Sequence, residues 1–507
     1  MAVRALSDMM ATGETVAAHR HWPRAIISAE IWSEAAQQLR DGHLTLLGLW
    51  GEPKTVHMAV LDEGTWRGAV LSLHCPDGRF PSVGRLHPPA IRLERTISDF
   101  FGLVADGAPD TRPWLDHGQW GVAHPLAERA PAAKRPGTEY RFLPVEGHGL
   151  HQVPVGPVHA GIIEPGHFRF TANGEAVARL EQRLGYVHKG IESLMAGATL
   201  ERGNRLAQRT SGDSVVAYGI AFARAAEAAL GFEAPPRSLW LRALMAELER
   251  IAHHIGDFGA ICNDAAFAVM HAQCGVLRER VLRAANAAFG HRLMRDRVVP
   301  GGVAGDMAAG GREAIEALLD EIRRRLPKLI ALYDDTASLQ DRTVTTGIVK
   351  PELAKIWAPG GHVGRACGRN FDTRRDLAYA PYDRLRFEVP VRHEGDVNAR
   401  VWIRIEEIKQ SVSMIEQILS AMPGGETLRA LPAPAGAVEG IGLAEAFRGD
   451  VLIWLRVGAN GLIERCHLRD ASWFQWPLVE AAIEGNIVAD FPLCNKSFNC
   501  SYSGHDL

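Results

Sequence analysis

Five stretches of helical periodicity dominate residues 213–420, and they constrain the fold more than any other feature of the chain. They run over 213–230 with Gly231 just beyond, 237–256 (RSLWLRALMAELERIAHHIG), 266–289, 311–335 with an expected break at Pro327, and 397–420 ended by Pro423-Gly424. Several are rich in alanine, and small side chains let helix axes approach closely, so the pattern predicts a tight bundle. The most apolar long stretch, 214–232, is interrupted by Arg224 and Glu227 and is expected not to span a bilayer. With 47% hydrophobic residues the chain can bury a large core.

The flanks read differently. Residues 1–120 predict a small α+β unit, with a helix over 29–40, apolar strands at 43–50, 55–61 and 66–73, and a helix opened by Pro88-Pro89. From 121 to 155 the periodicity lapses and Pro125, Pro131, Pro136, Pro144 and Pro154 mark an interdomain linker. Near the end, VLIWLRV (451–457) and LIERCHL (462–468), joined through Asn460-Gly461, predict a hairpin that caps the bundle. The expected class is therefore α+β: a small N-terminal α+β domain, then a predominantly helical domain over 156–507 with peripheral β hairpins.

Composition excludes several roles. The net charge of −3 provides no global basic field for nucleic acid. The N-terminal residues lack the apolar core of a secretory signal, and the seven cysteines include no CxxC pair, which fits a reduced, cytoplasmic setting. The glycine clusters 301–311 and 360–368 form neither a dinucleotide fingerprint nor a phosphate loop, and read as turns or close packing. His159, Glu164, His167 and Arg169 fall in a glycine-punctuated, strand-like hairpin where imidazoles can serve a ligand. Ser211, Asp213 and Ser214 precede an alanine-rich helix and read first as caps for its free N–H groups.

Taken in order, the motifs GPVHAGIIEPGHFRF (156–170), RLGYVHKGIESL (183–194), RVVPGGV (297–303), DRTVTTGIV (341–349), GRACGRNFDTRRD (364–376) and RDASWFQWPLVE (469–480) carry a resemblance. From about residue 155 onward the chain resembles the large subunit of membrane-bound [NiFe] hydrogenases of the formate hydrogenlyase and hydrogenase-4 type, relatives of a respiratory complex I core subunit. RLERTISDFFGLVADGAPDTRPWL (92–115) resembles the small complex I accessory subunit often fused to it.

In that family four thiolates, from C-G-x-C and C-x-x-C, hold nickel and iron. Counting back from Ala225-Ala226-Glu227, which is similar to the family's Ala-Val-Glu, places Ser211 and Ser214 at the first pair, and Cys500 and Ser503 fall at the second. Neutral hydroxyls cannot replace soft thiolates, so no metal is expected in this chain. The resemblance implies an oxidoreductase subunit with His159, Glu192, Asp213 and Arg365 as catalytic candidates and His159 and His167 as quinone-pocket candidates. It also implies iron–sulfur clusters in a partner small subunit, a possible quinone, antiporter-like membrane subunits, and a peripheral place on the cytoplasmic side of the inner membrane. The competing implication is a non-catalytic connector of such a complex. The two ligand-position segments are expected to converge, with Asp213 hydrogen-bonded by the hydroxyls.

Overall fold

Short apolar runs over residues 45–74, buried on both faces, produce the first sheet. The computed structural model describes residues 4–128, 139–159 and 163–507. Its N-terminal sheet has five strands in the order Glu14–Thr15, Arg24–Ile26, Arg67–His74, Thr55–Asp62, Thr45–Glu52. One face, with Leu46, Leu49, Val56, Met58, Val60 and Leu71, is buried in a core it shares with residues of the helices Ala29–Asp41 and Ile91–Phe101. The first of these helices is capped by the Ser28 hydroxyl and stops at Gly42, whose φ of 75° suits a residue without Cβ.

The opposite face, with Leu47, Trp50, Ala59, Leu61 and Val70, packs on Ile441, Leu443, Leu452 and Trp454 of a second sheet. That sheet runs in the order Ile463–Arg469, Gly449–Val457, Val438–Ala446, His19–Arg20, so its edge strand comes from the N-terminal unit. Glu439 and Gly440 pair in parallel with His19 and Arg20. The two sheets are also tied by buried charges. Arg456 reaches Glu52 at 2.6 Å and Glu439 at 2.9 Å, and Arg24 also pairs with Glu439.

Behind the second sheet lie the helices Val215–Ala229, Pro236–Asp264, Ala268–Phe289, Gly311–Asp334 and Val397–Ala421. Val438–Ala446 is laid against Val215–Ala229 at backbone range. A Cβ on Gly440 would sit 2.1 Å from the Ala225 carbonyl oxygen, and one on Gly442 would sit 2.2 Å from that of Ala221. The sequence Glu439-Gly440-Ile441-Gly442-Leu443 thus alternates a bare face for the helix with a bulky face for the N-terminal sheet.

The α+β class and the helical segments match the sequence pattern, with local differences. The second helix of the bundle continues past Gly256 to Asp264, because Gly256 and Gly259 let it approach Arg278 and Cys274 of the next helix. Pro327 sits inside an unbroken helix whose flanking residues Leu326 and Leu329 are both anchored in the core. The stretch read as a linker ends in a strand, Leu150–Val155, paired with His167–Asn173, which in turn pairs with Ala176–Arg183. Residues 129–138 of that stretch lie outside the described residues.

Trp50 is the centre of the junction between the sheets. Its ring lies 5.0 Å from His467, 5.3 Å from His57 and 5.7 Å from Trp454. Trp50→Ala is expected to cost about 3–5 kcal/mol in chemical denaturation, with probes in the N-terminal unit and in the bundle moving together. Loss confined to the N-terminal unit would show that the junction does not couple them.

Candidate functional site

The bare strand face fixes where the turn after it must go. Phe447 and Arg448 connect Val438–Ala446 to Gly449–Val457, and close approach on Val215–Ala229 carries them over the N-terminal end of that helix. The turn is also clasped from outside, since a Cβ on Gly361 would meet the Arg448 carbonyl oxygen at 2.0 Å. The glycine pair 360–361 is therefore a close-packing device, one of the two roles its sequence allows.

Arg448 lies between two arms of the chain. One guanidinium nitrogen donates to Asp213 Oδ1 at 2.7 Å and to Ser214 Oγ at 3.4 Å, the other donates to Asp213 Oδ2, and Nε donates to the Asn499 carbonyl. The Ser211 hydroxyl donates to Asp213 Oδ1 at 2.8 Å and shares a 2.8 Å hydrogen bond with Ser501 Oγ. Cys500 Sγ is 3.9 Å from Gln475 Oε1, and Gln475 Nε2 holds the Arg448 carbonyl at 2.7 Å. The Ser503 amide donates to Glu164 at 2.9 Å, which brings the hairpin of 156–170 against the same arm. Residues 211–214 and 500–503, nearly 290 positions apart in sequence, thus converge as expected.

The helix start is capped from a distance. Ser214 makes no side-chain cap. Instead the Glu249 carboxylate, on Pro236–Asp264, accepts from the amides of Val216 at 2.7 Å and Ala217 at 3.1 Å. This corrects the capping reading of Ser211, Asp213 and Ser214. With the amides served by Glu249, Ser211 and Asp213 bond to each other and to the second arm.

Burial opposes ionisation of Asp213, but the Arg448 charge and hydrogen bonds outweigh it and hold the carboxyl well below the usual range. Burial pushes the Glu249 carboxyl up to about 8, with the Asp213 charge adding to the shift. Burial also raises the Cys500 thiol well above its ordinary value, so it stays protonated at neutral pH.

The other expected residues lie apart from this cluster. Glu192 is buried beside Arg465 at 2.7 Å and His467 at 2.8 Å, under the Trp50 junction. Arg365 is fully buried and bonds Glu407 at 2.7 Å, Glu445 at 3.0 Å and Asp372 at 3.3 Å. His159 Nε2 bonds the Gly166 carbonyl at 2.7 Å, bracing its own loop, and His167 Nδ1 bonds that of Gly156 at 3.2 Å. Residues 160–162 of that loop lie outside the described residues.

A chain of buried contacts leads from Arg365 towards the cluster. Glu407 accepts from His254 at 2.7 Å, the neighbouring His253 stacks on Phe447 at 4.6 Å, and Phe447 lies under the Arg448 guanidinium at 4.5 Å. On the far side, Asp372 pairs with Arg374 at 2.7 Å, and Arg374 with Glu247 at 2.9 Å. Sequence reasoning missed Arg448, Glu249 and Gln475. An arginine in a two-residue connection between apolar strands was the available signal for the first; the other two sit in ordinary helical patterns.

Residues 265–435 match the family of the respiratory-chain NADH dehydrogenase 49 kDa subunit, and residues 26–136 match that of its 30 kDa subunit. The chain is 30% identical to hydrogenase-4 component G of Escherichia coli over 84% of its own length and 76% of that protein. It is 29% identical to formate hydrogenlyase subunit 5 of the same organism, over 90% of this chain and 82% of the relative. It is also 29% identical to the carbon monoxide-induced hydrogenase of Rhodospirillum rubrum, over 69% of this chain and 97% of the relative. The chain therefore belongs to the complex I and hydrogenase-4 subunit family, with both family parts fused in one polypeptide. Among the described residues no helix is long and apolar enough to cross a membrane.

Removing Arg448 strands an inward-facing carboxylate. Because the Asp213 side chain is 33% exposed, screening reduces the penalty, and Arg448→Met is expected to cost about 2 kcal/mol. The Asp213→Asn/Arg448→Met double variant should recover more than half of that in chemical denaturation. The pH dependence has a fixed sign. A depressed folded-state pKa stabilises above the ordinary aspartate value of about 3.9, and that contribution disappears as pH falls below it. Asp213→Asn should flatten this part of the acid unfolding curve; an unchanged curve would contradict the assignment.

Proposed function

We propose that this chain is a redox subunit of a membrane-bound complex of the hydrogenase-4 and complex I kind, and that it works without a [NiFe] centre of its own. In this reading electrons arrive from the iron–sulfur clusters of a small subunit, and their passage is coupled to ion translocation by antiporter-like membrane subunits. The chain stays peripheral on the cytoplasmic side of the inner membrane and is held there by protein contacts.

The observation that carries the nickel-free reading is the position of Arg448. Ser211, Ser214, Cys500 and Ser503 offer one protonated thiol and three hydroxyls, a poor donor set for soft metals. A guanidinium bonded to Asp213 on one arm and to the Asn499 carbonyl on the other places a fixed positive charge between those arms. Cations repel, so the residues present do not fit nickel, and no step is derived through it.

For the acceptor, His159 and His167 remain the quinone-pocket candidates. Asp213 is the group of the expected catalytic set that faces the remade site, while Glu192 and Arg365 serve as positioning charges at the junction and in the bundle. A second reading, a non-catalytic connector, is favoured by the buried network from Arg448 through His253, His254 and Glu407 to Arg365. Buried, rigidly packed contacts suit the transmission of a conformational change better than turnover.

The purified complex is expected to contain no nickel stoichiometric with this chain and to give background hydrogen uptake with a viologen dye. Near-stoichiometric nickel would overturn the reading. Affinity purification from detergent-solubilised membranes should recover an iron–sulfur small subunit with antiporter-like proteins. Redox titration of that complex in the presence of quinone then separates the two readings, because only the first requires a titratable acceptor.

A further inference from the structure

A second site lies on the face of the three-stranded sheet opposite Phe168 and Phe170, which pack on Trp476 and Phe491. Here a cavity of about 1030 Å³ opens between residues 112–118, the segment 139–142, the strand His167–Asn173 and residues 183–186. Its wall carries Arg112, Arg141, Arg169 and Arg183 together with the carboxylates of Asp116 and Glu139. Arg112 is matched, since it pairs with Asp110 at 2.6 Å and Glu181 at 2.7 Å. Arg169 and Arg183 are not matched in this way among the described residues.

Arg169 donates to Gln152 Oε1 and to His167 Nε2, each at 3.2 Å, and both acceptors are neutral. Arg183 is only 4% exposed and donates to the carbonyls of Trp114 and Asp116, the latter at 3.2 Å. Its guanidinium stacks on Tyr140 at 4.4 Å, and that of Arg169 stacks on Phe142 at 4.5 Å. The rings and carbonyls orient these forks; the Asp99 carboxylate, which accepts from the amides of Trp114, Leu115 and Asp116, acts on Arg183 from beyond ion-pair distance. Burial pulls Arg183 down to about 10, which still leaves it cationic at neutral pH.

Neighbouring imidazoles add no compensation of either sign. His117 bonds the Leu184 carbonyl at 2.8 Å, and burial together with Arg183 lowers its pKa. Burying a guanidinium costs several kcal/mol unless an anion approaches it, and a planar fork matches two oxygens of a carboxylate or phosphate.

We infer that this cavity binds an anion of the carboxylate or phosphate class, held by Arg169 and Arg183 with Tyr140 and Phe142 flanking it. A neutral quinone ring would not supply the missing charge. The anion could be a free small molecule or the headgroup of an anionic phospholipid, and the two sources predict different measurements. The inference does not depend on the absence of nickel.

The test uses the purified full chain at fixed ionic strength near 0.15 M, so that screening is constant. Calorimetric titration with inorganic phosphate and with citrate reads the free-anion source. Co-sedimentation with phosphatidylcholine vesicles, with and without phosphatidylglycerol, reads the headgroup source. Saturable binding in either arm, weakened about tenfold or more by Arg169→Gln, is the expected result. Arg205→Gln, which breaks an exposed pair with Glu201, is the control and should change nothing. Arg183 also holds two carbonyls, so Arg183→Gln endangers folding; Arg169→Gln, on the more accessible side, keeps the test decisive. No saturable binding in either arm, or binding that Arg169→Gln leaves intact, would overturn the inference.

Discussion

The approach of one strand to one helix without intervening side chains sets much of this architecture. Gly440 and Gly442 place Val438–Ala446 on the backbone of Val215–Ala229, so the other face of the strand is free to carry Ile441 and Leu443 into the N-terminal sheet. The same contact aims Arg448 at the start of the helix. Sheet junction and candidate site are therefore two ends of one geometric choice. Any side chain at Gly440 or Gly442 would lift the strand by the thickness of a methyl group and disturb both ends together.

Several buried arginines of the interior are met by carboxylates. Arg365, Arg374, Arg404 and Arg448 are each sequestered, and each finds a carboxylate: Glu407, Asp372, Asp257 and Asp213. Such pairs add little net stability over an apolar core, but breaking one leaves a desolvated charge without compensation. Their arrangement specifies one packing of the long helices Pro236–Asp264 and Val397–Ala421, whose inner faces carry Glu247, His254, Arg404 and Glu407. Arg183 and Arg400 depart from this habit among the described residues, each with carbonyls and a ring where the others have carboxylates.

Much of the fold was legible because it rests on local periodicity. Short apolar runs marked the strands at 45–74, and apolar spacing marked all five long helices. What escaped was decided by tertiary contact. Nothing in the spacing around Gly256 or Pro327 reveals that a neighbouring helix or an anchored core will carry the helix through. The convergence of residues 211–214 with 500–503 was readable only through motif order, since no local rule links positions so far apart. Glu249 and Gln475 were invisible for a related reason: a polar residue in an amphipathic helix looks solvated until its partner is known. Glu192 and Arg365 were correctly noticed as unusual, but their partners place them at the sheet junction and in the bundle network.

The cap on Val215–Ala229 has a mechanical side. Its first amides are held by a carboxylate rooted in another helix, so the amide dipoles, Glu249 and Asp213 form one electrical unit spanning two elements. A slide of Pro236–Asp264 by an ångström would withdraw the acceptor oxygens from the amides of Val216 and Ala217. The start of one helix is thus held in place by the interior of another, so its position depends on the seating of Pro236–Asp264 as a whole.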